Sequence, residues 1–73
     1  MADHEIAADV TGTVWKIVKQ AGEAVAEGEA IIILESMKME IPIEAPADGS
    51  VAELRVAEGD PVAEGDIVCV VSA

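Results

Sequence analysis

The hydrophobic residues of this 73-residue chain lie in short runs rich in Val, Ile and Ala, and polar segments that contain glycine separate these runs. The runs 30–34 and 67–71 each follow a Val-Ala-Glu-Gly unit and one acidic residue. Short β-branched runs bounded by turn residues indicate strands. The Ala- and Glu-rich segment 21–30 could suggest a helix, but Gly22 and Gly28 interrupt it after too few residues. We therefore expect about seven or eight short strands and little helix.

The same pattern occurs twice, at an offset of 37 residues, when residues 5–36 are laid over residues 42–73. Each copy is too small to bury its own apolar face, so the two should pair about a pseudo-two-fold axis and share one core. The sequence thus predicts one all-β domain over residues 1–73, a flattened β-barrel or sandwich with two four-stranded halves. Nine of the 32 aligned pairs are identical: Ile6/Ile43, Ala8/Ala45, Gly12/Gly49, Val14/Val51, Gly22/Gly59, Val25/Val62, Ala26/Ala63, Glu27/Glu64 and Gly28/Gly65.

Residues 31–44 do not fit as one strand, although they contain no glycine, asparagine or proline before Pro42. These 14 residues would extend about 46 Å at about 3.3 Å each. A globule of this size has a radius of gyration of about 11 Å and a diameter of roughly 30 Å. The segment must therefore fold back between Leu34 and Ile41, although residues 35–40 are poor formers of tight turns. Such a conflict between local preference and fold indicates a functional site.

The repeat also predicts where this hairpin lies. The offset of 37 places Ser36 on Ala73 and Lys38 on Met1. The chain ends should therefore occupy the position that is symmetry-related to the hairpin. We expect one pole of the domain to carry both termini and the opposite pole to present Lys38.

Charge and composition exclude several classes of protein. Fifteen acidic against four basic residues give a net charge of −11, which disfavours binding to nucleic acid or to an anionic membrane surface. Cys69 is the only cysteine, so one chain forms neither a disulfide nor a cysteine-based metal cluster. The N-terminus lacks the features of a signal peptide, and the apolar runs are too short to cross a bilayer. We expect a cytoplasmic protein that docks transiently on basic patches of larger partners.

The residues around Lys38 resemble the attachment motif of biotinyl domains; they are Glu35, Ser36, Met37, Met39 and Glu40. With the flanking glycine-rich turns, the chain from about Glu5 to Ser72 is similar to the biotin and lipoyl attachment family. The family usually has alanine where Ser36 stands, a small difference that the modifying ligase should accept. Methionine on both sides of the lysine is typical of biotin, whereas acidic and alanine neighbours are more typical of lipoate.

The resemblance implies a barrel-sandwich hybrid fold with the modified lysine on a hairpin tip and with biotin held as an amide on Lys38. Glu35, Ser36, Met37, Met39 and Glu40 would be recognised by a biotin protein ligase. The carrier would pass carboxyl groups from a biotin carboxylase to a carboxyltransferase of an acyl-CoA carboxylase. Because no Ala-Pro-rich linker precedes the domain, we expect a free-standing carrier, monomeric by itself.

Three other functions remain as alternatives. A lipoyl carrier of a dehydrogenase complex would share the fold and attach a different cofactor to Lys38. An unmodified module with a purely structural role would keep the fold, although such modules normally lie within longer chains. An independent enzyme is disfavoured, because no nucleophile, base and oxyanion donors can be nominated together and no metal site is predicted.

The remaining candidate residues have structural interpretations. His4 should lie in a loose terminal segment and have no function. Cys69 should be a buried structural thiol. Trp15 aligns with Ala52, and we expect it to fill or cover the core, although it could mark a partner surface. The six glycines are interpreted as turn positions with positive φ, namely Gly12, Gly22, Gly28, Gly49, Gly59 and Gly65.

Overall fold

The computed structural model describes residues 3–73, which form eight β-strands and no helix. The strands build two four-stranded antiparallel sheets. The hairpin sheet has the order β5-β4-β2-β7, and the terminal sheet has the order β1-β8-β6-β3. The strands are β1 (Asp3–Ala7), β2 (Gly12–Ile17), β3 (Ala24–Val25), β4 (Ala30–Ser36), β5 (Met39–Glu44), β6 (Gly49–Leu54), β7 (Pro61–Val62) and β8 (Ile67–Ser72).

The two copies of the repeat exchange strands between the sheets. β2 pairs with β4, and β6 pairs with β8, so the central strands of each sheet come from one copy. The edge strands of that sheet come from the other copy, because β5 and β7 flank the first pair while β1 and β3 flank the second. The predicted all-β fold with pseudo-two-fold symmetry is confirmed, and its two sheets form a sandwich and not a closed barrel.

The core consists of small and β-branched side chains at symmetry-related positions. Ile31, Ile32 and Leu34 of β4 are fully buried, as are Val68, Cys69 and Val71 at the corresponding positions of β8. The buried thiol predicted for Cys69 is thus confirmed. Each sheet supplies one such central strand, so the apolar face of each copy is covered by the other. Further buried pairs are Ala8/Ala45, Val14/Val51 and Val25/Val62.

Four glycines have the predicted positive φ, and two do not. Gly22, Gly28, Gly59 and Gly65 lie in turns with φ between 84° and 93°. Gly12 and Gly49 instead begin β2 and β6, where a Cβ would collide with the carbonyl oxygen of Glu35 or Ser72. The prediction of positive φ is therefore wrong for Gly12 and Gly49, where glycine is required by the close approach of a neighbouring strand.

Trp15 lies on the outside of the hairpin sheet, so the prediction that it fills or covers the core is wrong. A β-bulge interrupts the pairing of β2 with β4 between Val14 and Lys16. An extra residue breaks the alternation of faces, and Trp15 and Lys16 both point outward between inward-facing Val14 and Ile17. Trp15 is consequently 48% exposed.

The N-terminal segment is also more ordered than predicted. His4 lies within β1, opposite Val71 of β8. The expectation of a loose segment around His4 is therefore wrong, because β1 supplies the edge strand that β8 needs. Met1, which the repeat aligns with Lys38, lies outside the described residues.

The molecule is elongated, with a radius of gyration of 11.1 Å and extents of 35 × 17 × 17 Å. The β4–β5 hairpin occupies one end of the hairpin sheet. β2 runs away from that end, and residues 18–23 lead into β3, which pairs with the start of β6. Ser72 pairs with Asp3 and Ser50 at that second end, so the hairpin and the C-terminal strand end lie at opposite poles. None of the residues 3–73 forms a helix long and apolar enough to cross a membrane.

Candidate functional site

The chain reverses at Met37 and Lys38, within the predicted interval between Leu34 and Ile41. Ser36 pairs with Met39 across the turn, so only two residues connect β4 to β5. Met37 has a φ of 51° and Lys38 a φ of 66°. Positive φ at both central residues is the pattern of a type I′ turn, which normally selects Asn or Gly. Each non-glycine residue in this left-handed region costs about 1–2 kcal/mol.

The side chains of this turn project into solvent. Met37 is 92% exposed and Met39 is 63% exposed, so neither is a core residue. Lys38 is exposed between them. Its amine forms no hydrogen bond or ion pair with any other residue of the described range 3–73. The turn therefore presents one primary amine, flanked by two apolar side chains, at the end of the long axis.

Two glutamates face each other immediately behind the turn. Glu35 of β4 lies directly opposite Glu40 of β5, and both are exposed. Like charges at directly opposed strand positions destabilise a hairpin. The hairpin tip therefore combines an unfavourable turn conformation with an unfavourable charge pair, and the fold gains stability from neither.

The tip is held in place by contacts behind it. The Ser36 hydroxyl donates a hydrogen bond of 2.9 Å to the main-chain carbonyl of Thr11, in the segment before β2. The Thr11 hydroxyl accepts a hydrogen bond of 3.1 Å from the main-chain N–H of Glu64. Gly12 allows β2 to approach the Glu35 carbonyl closely. These contacts fix the end of β4 from which the turn projects.

Thr11 was not among the predicted site residues, although the repeat carries a signal for it. Thr11 aligns with Asp48, and each lies directly before an identical glycine. The Asp48 carboxylate accepts a hydrogen bond of 2.8 Å from the main-chain N–H of Glu27, which is the symmetry-related contact. In both halves, a side-chain oxygen of the residue before the repeated glycine thus accepts a hydrogen bond from the main chain of a turn.

The chemistry available here is that of an accessible primary amine. A lysine on a rigid turn fits a group attached through an amide, because the amine is reachable from outside and the side chain serves as a flexible tether. The described residues 3–73 enclose no cavity and contain no group of three His, Cys, Asp or Glu side chains arranged for a metal ion. The exposed amine of Lys38 is therefore the candidate attachment point of this site.

Two relatives match nearly the full length of the chain. A biotin/lipoyl attachment protein from Bacillus subtilis is 44% identical over 63 residues, which cover 86% of this chain and 86% of that protein. The biotinylated protein TB7.3 homolog from Mycobacterium leprae is 35% identical over 69 residues, which cover 94% of this chain and 97% of that protein.

A solved structure supports the same relationship. The urea carboxylase of Kluyveromyces lactis superposes with a TM-score of 0.93 at 33% identity, covering 99% of this chain. The chain corresponds to only 6% of that enzyme. The family model described as "Biotin-requiring enzyme" matches residues 4–71, and this match together with the biotinylated relative confirms biotin as the cofactor of the family. The chain therefore belongs to the biotin and lipoyl attachment family.

Proposed function

We propose that this chain is a biotin carboxyl carrier and that biotin is held by an amide to the Nζ of Lys38. The observation that carries the proposal is the turn geometry, in which two non-glycine residues at positive φ present an amine that forms no ion pair among residues 3–73, at one pole of the molecule. A fold that needed only a hairpin would place Asn or Gly at these positions. The presence of Met37 and Lys38 in the turn is therefore explained by the side chains that they expose and not by the needs of the turn.

The attachment is an acyl transfer onto the lysine amine. The neutral Nζ of Lys38 attacks the activated carboxyl carbon of biotin, so an N–C bond forms and the bond to the activating group breaks. The activating group departs with the electron pair, and the proton from Nζ passes to a base of the biotin protein ligase. The domain contributes the exposed amine, and the ligase supplies activation and deprotonation.

The surroundings of Lys38 are proposed to be the recognition surface for the ligase. Met37 and Met39 offer flexible apolar contacts on either side of the amine. Glu35 and Glu40 form a negative pair that a basic ligase surface would neutralise. Ser36, which is half-buried and bonded to Thr11, would act by holding the hairpin in place.

The carrier role follows from the tether. Bound biotin supplies a ring nitrogen that accepts and releases a carboxyl group. The lysine tether on a small domain keeps that ring at a high effective concentration near any enzyme on which the domain docks. We propose that the enzymes served are the biotin carboxylase and the carboxyltransferase of a biotin-dependent carboxylase.

The final acceptor is proposed to be an acyl-CoA, as the resemblance of the attachment motif implies. The similarity to urea carboxylase makes urea a second acceptor to be tested. Assembly of the biotinylated carrier with purified carboxyltransferases should give carboxyl transfer to an acyl-CoA and none to urea. Transfer to urea alone would contradict the acyl-CoA part of the proposal and leave the carrier role intact.

The attachment is tested by coexpression with a biotin protein ligase and a lipoyl ligase, followed by intact mass measurement. The wild-type chain should gain one biotin, and Lys38→Arg should gain none. Lys16→Arg is the matched control, because Lys16 is also exposed and forms no ion pair among residues 3–73. A lipoyl adduct on Lys38 without biotin, or biotin retained in Lys38→Arg, would contradict the proposal.

A further inference from the structure

The outer faces of the two sheets differ at symmetry-related positions. On the terminal sheet, Glu5, Val70 and Glu53 lie side by side across β1, β8 and β6. Arg55 bridges the two glutamates, with its Nε 2.9 Å from Glu53 and its Nη2 3.5 Å from Glu5. Val70 is only 7% exposed. These ion pairs thus cover Val70, the apolar residue at the centre of this face.

The hairpin sheet has an apolar surface where the terminal sheet has the ion pairs of Arg55. Pro42, Ile33 and Lys16 lie side by side across β5, β4 and β2, at the positions that correspond to Glu5, Val70 and Glu53. Val18 replaces Arg55, and Trp15 replaces Ala52. We call this surface the Trp15 face, and it consists of Trp15, Lys16, Val18, Ile33 and Pro42.

The Trp15 face is open to solvent. Trp15 is 48% exposed, Val18 is 41% exposed, and Pro42 is also exposed. Lys16 forms no ion pair within the described part of the chain, whereas Lys19 and Arg55 both do. Among residues 3–73, no ion pair covers half-buried Ile33 in the way that the ion pairs of Arg55 cover Val70.

The fold itself does not require these side chains. The terminal sheet makes the same bulge with Ala52 in the position of Trp15. Exposing an indole forgoes the stabilisation that burial of its apolar surface would give. A tryptophan set in an apolar patch instead has the composition of the centre of a protein interface, where aromatic residues are enriched.

Charge indicates what kind of partner fits this face. The chain carries a net charge of −11, so two copies would repel each other and a second copy is a poor occupant. The exposed carboxylates of Glu35, Glu40 and Glu44 lie on β4 and β5, the two strands on one side of β2 in the same sheet. A matching surface therefore has an apolar pocket for the indole and a basic rim.

The position of the face indicates when it is used. It lies on the sheet that ends in the Lys38 hairpin, and Ile33 is three residues before Ser36, about 10 Å along the strand. A ligase that acts on Nζ can recognise the tip itself. An enzyme that receives the modified carrier finds no charged amine there, because amide formation has removed it, whereas the Trp15 face is unchanged.

We propose that the Trp15 face is the docking surface for the biotin carboxylase that loads the carrier, with Trp15 seated in an apolar pocket rimmed by basic side chains. This inference rests on the proposed carrier function. It adds a surface, separate from the attachment hairpin, by which the partner holds the domain while Lys38 reaches the active site.

The test compares Trp15→Ala with Arg55→Ala, each fully biotinylated, as the varied substrate of the purified biotin carboxylase of the host. Trp15→Ala places at position 15 the same side chain that the symmetry-related position, Ala52, already has. We expect the KM for the carrier to rise at least about tenfold, with kcat within about twofold. Arg55→Ala, on the opposite face, should leave both constants within about twofold.

A second variant guards against an effect of Trp15→Ala on folding. The combination Trp15→Ala, Lys16→Glu, Val18→Arg and Pro42→Glu transfers the ion-paired surface of the terminal sheet to the hairpin sheet. It should unfold at a temperature close to that of the wild type and still show the raised KM. An NMR titration of the labelled carrier with the carboxylase should shift the Trp15 indole and the amide of Ile33 more than any amide of the terminal sheet.

Three outcomes would overturn the inference. One is an unchanged KM for both hairpin-sheet variants. Another is a wild-type dimer in sedimentation equilibrium that Trp15→Ala dissociates, which would make a second copy the occupant. The third is a Trp15→Ala carrier that the ligase biotinylates about tenfold more slowly but that has an unchanged KM in the carboxylase reaction. Failure of the wild type to accept biotin would instead contradict the proposed function, and intact mass before the assay separates the two cases.

Discussion

The Ser36 hydroxyl donates a 2.9 Å hydrogen bond to the main-chain carbonyl of Thr11, one residue before the chain turns at Met37. This bond joins the end of β4 to the segment that leads into β2. Thr11 is itself fixed by the Glu64 N–H, so the hairpin is tied to a turn of the second copy of the repeat. The position of Lys38 therefore depends on a contact that spans both halves of the molecule.

Ser36→Ala should loosen the attachment hairpin without disrupting the sheet. Loss of one partly exposed hydrogen bond should lower the free energy of unfolding by about 0.5–1.5 kcal/mol. We expect faster hydrogen exchange at the amides of residues 36–39, with biotinylation of Lys38 retained because alanine is usual at this position in the family. Ser72→Ala is the matched control, because Ser72 lies near the end of β8 and its hydroxyl makes no hydrogen bond among residues 3–73. Equal effects of the two changes would contradict a role for the Thr11 contact.

Met37→Gly should stabilise the protein and impair its modification. Glycine relieves the left-handed strain at φ 51°, and the net gain after the entropy cost in the unfolded chain is about 0.5–1 kcal/mol. Urea unfolding measures the gain, and intact mass over time measures biotinylation, which should slow because an apolar contact is lost. Met39→Gly should instead destabilise, since Met39 lies in β5 without positive φ. A destabilised Met37→Gly would show that the turn is not strained.

Gly12→Ala and Gly49→Ala should destabilise the protein to a similar degree but differ in their effect on function. Each new Cβ collides with a carbonyl oxygen of the neighbouring strand, that of Glu35 or that of Ser72. Overpacking of this kind costs about 1–3 kcal/mol, which thermal unfolding will report. Only Gly12→Ala displaces β4, the strand that leads into the Lys38 turn, so only it should lower the rate of biotinylation. Equal rates for the two variants would contradict this coupling.

Stability should fall above pH 9 because of Cys69. Burial raises the pKa of the Cys69 thiol from 9.0 to about 11. Below pH 9 the thiol is protonated in the folded and unfolded states, and its contribution to stability is fully present. Between about pH 9 and 11 the unfolded chain releases the proton first, so the free energy of unfolding falls by up to about 1.4 kcal/mol per pH unit.

Urea unfolding at pH 8 and pH 10 measures this loss, with Cys69→Val as the control. Valine fills a similar volume in β8 and has no proton to release, so the extra loss of stability should disappear. All other ionisable groups are common to both proteins, so their effects cancel in the comparison. An identical pH dependence of the two proteins would contradict the assignment to Cys69.

The sequence by itself determined the strands and the position of the hairpin. The 37-residue repeat aligns β2 with β6 and β3 with β7 residue for residue. The length of segment 31–44 required a reversal where Met37 and Lys38 make one. These features were predictable because apolar alternation, glycine positions and the span of an extended chain are local properties. Attachment of biotin to Lys38 stays a prediction that rests on the motif.

Only the tertiary structure decided how the strands are shared and which side chains face outward. Strand pairing between distant segments made each sheet from both copies, and no local pattern specifies that exchange. The bulge in β2 turned Trp15 out of the core, and close packing against β4 required glycine at Gly12 without positive φ. The Ser36–Thr11 bond joins residues 25 positions apart. Each of these features depends on which segments become neighbours, and that is settled only when the whole core packs.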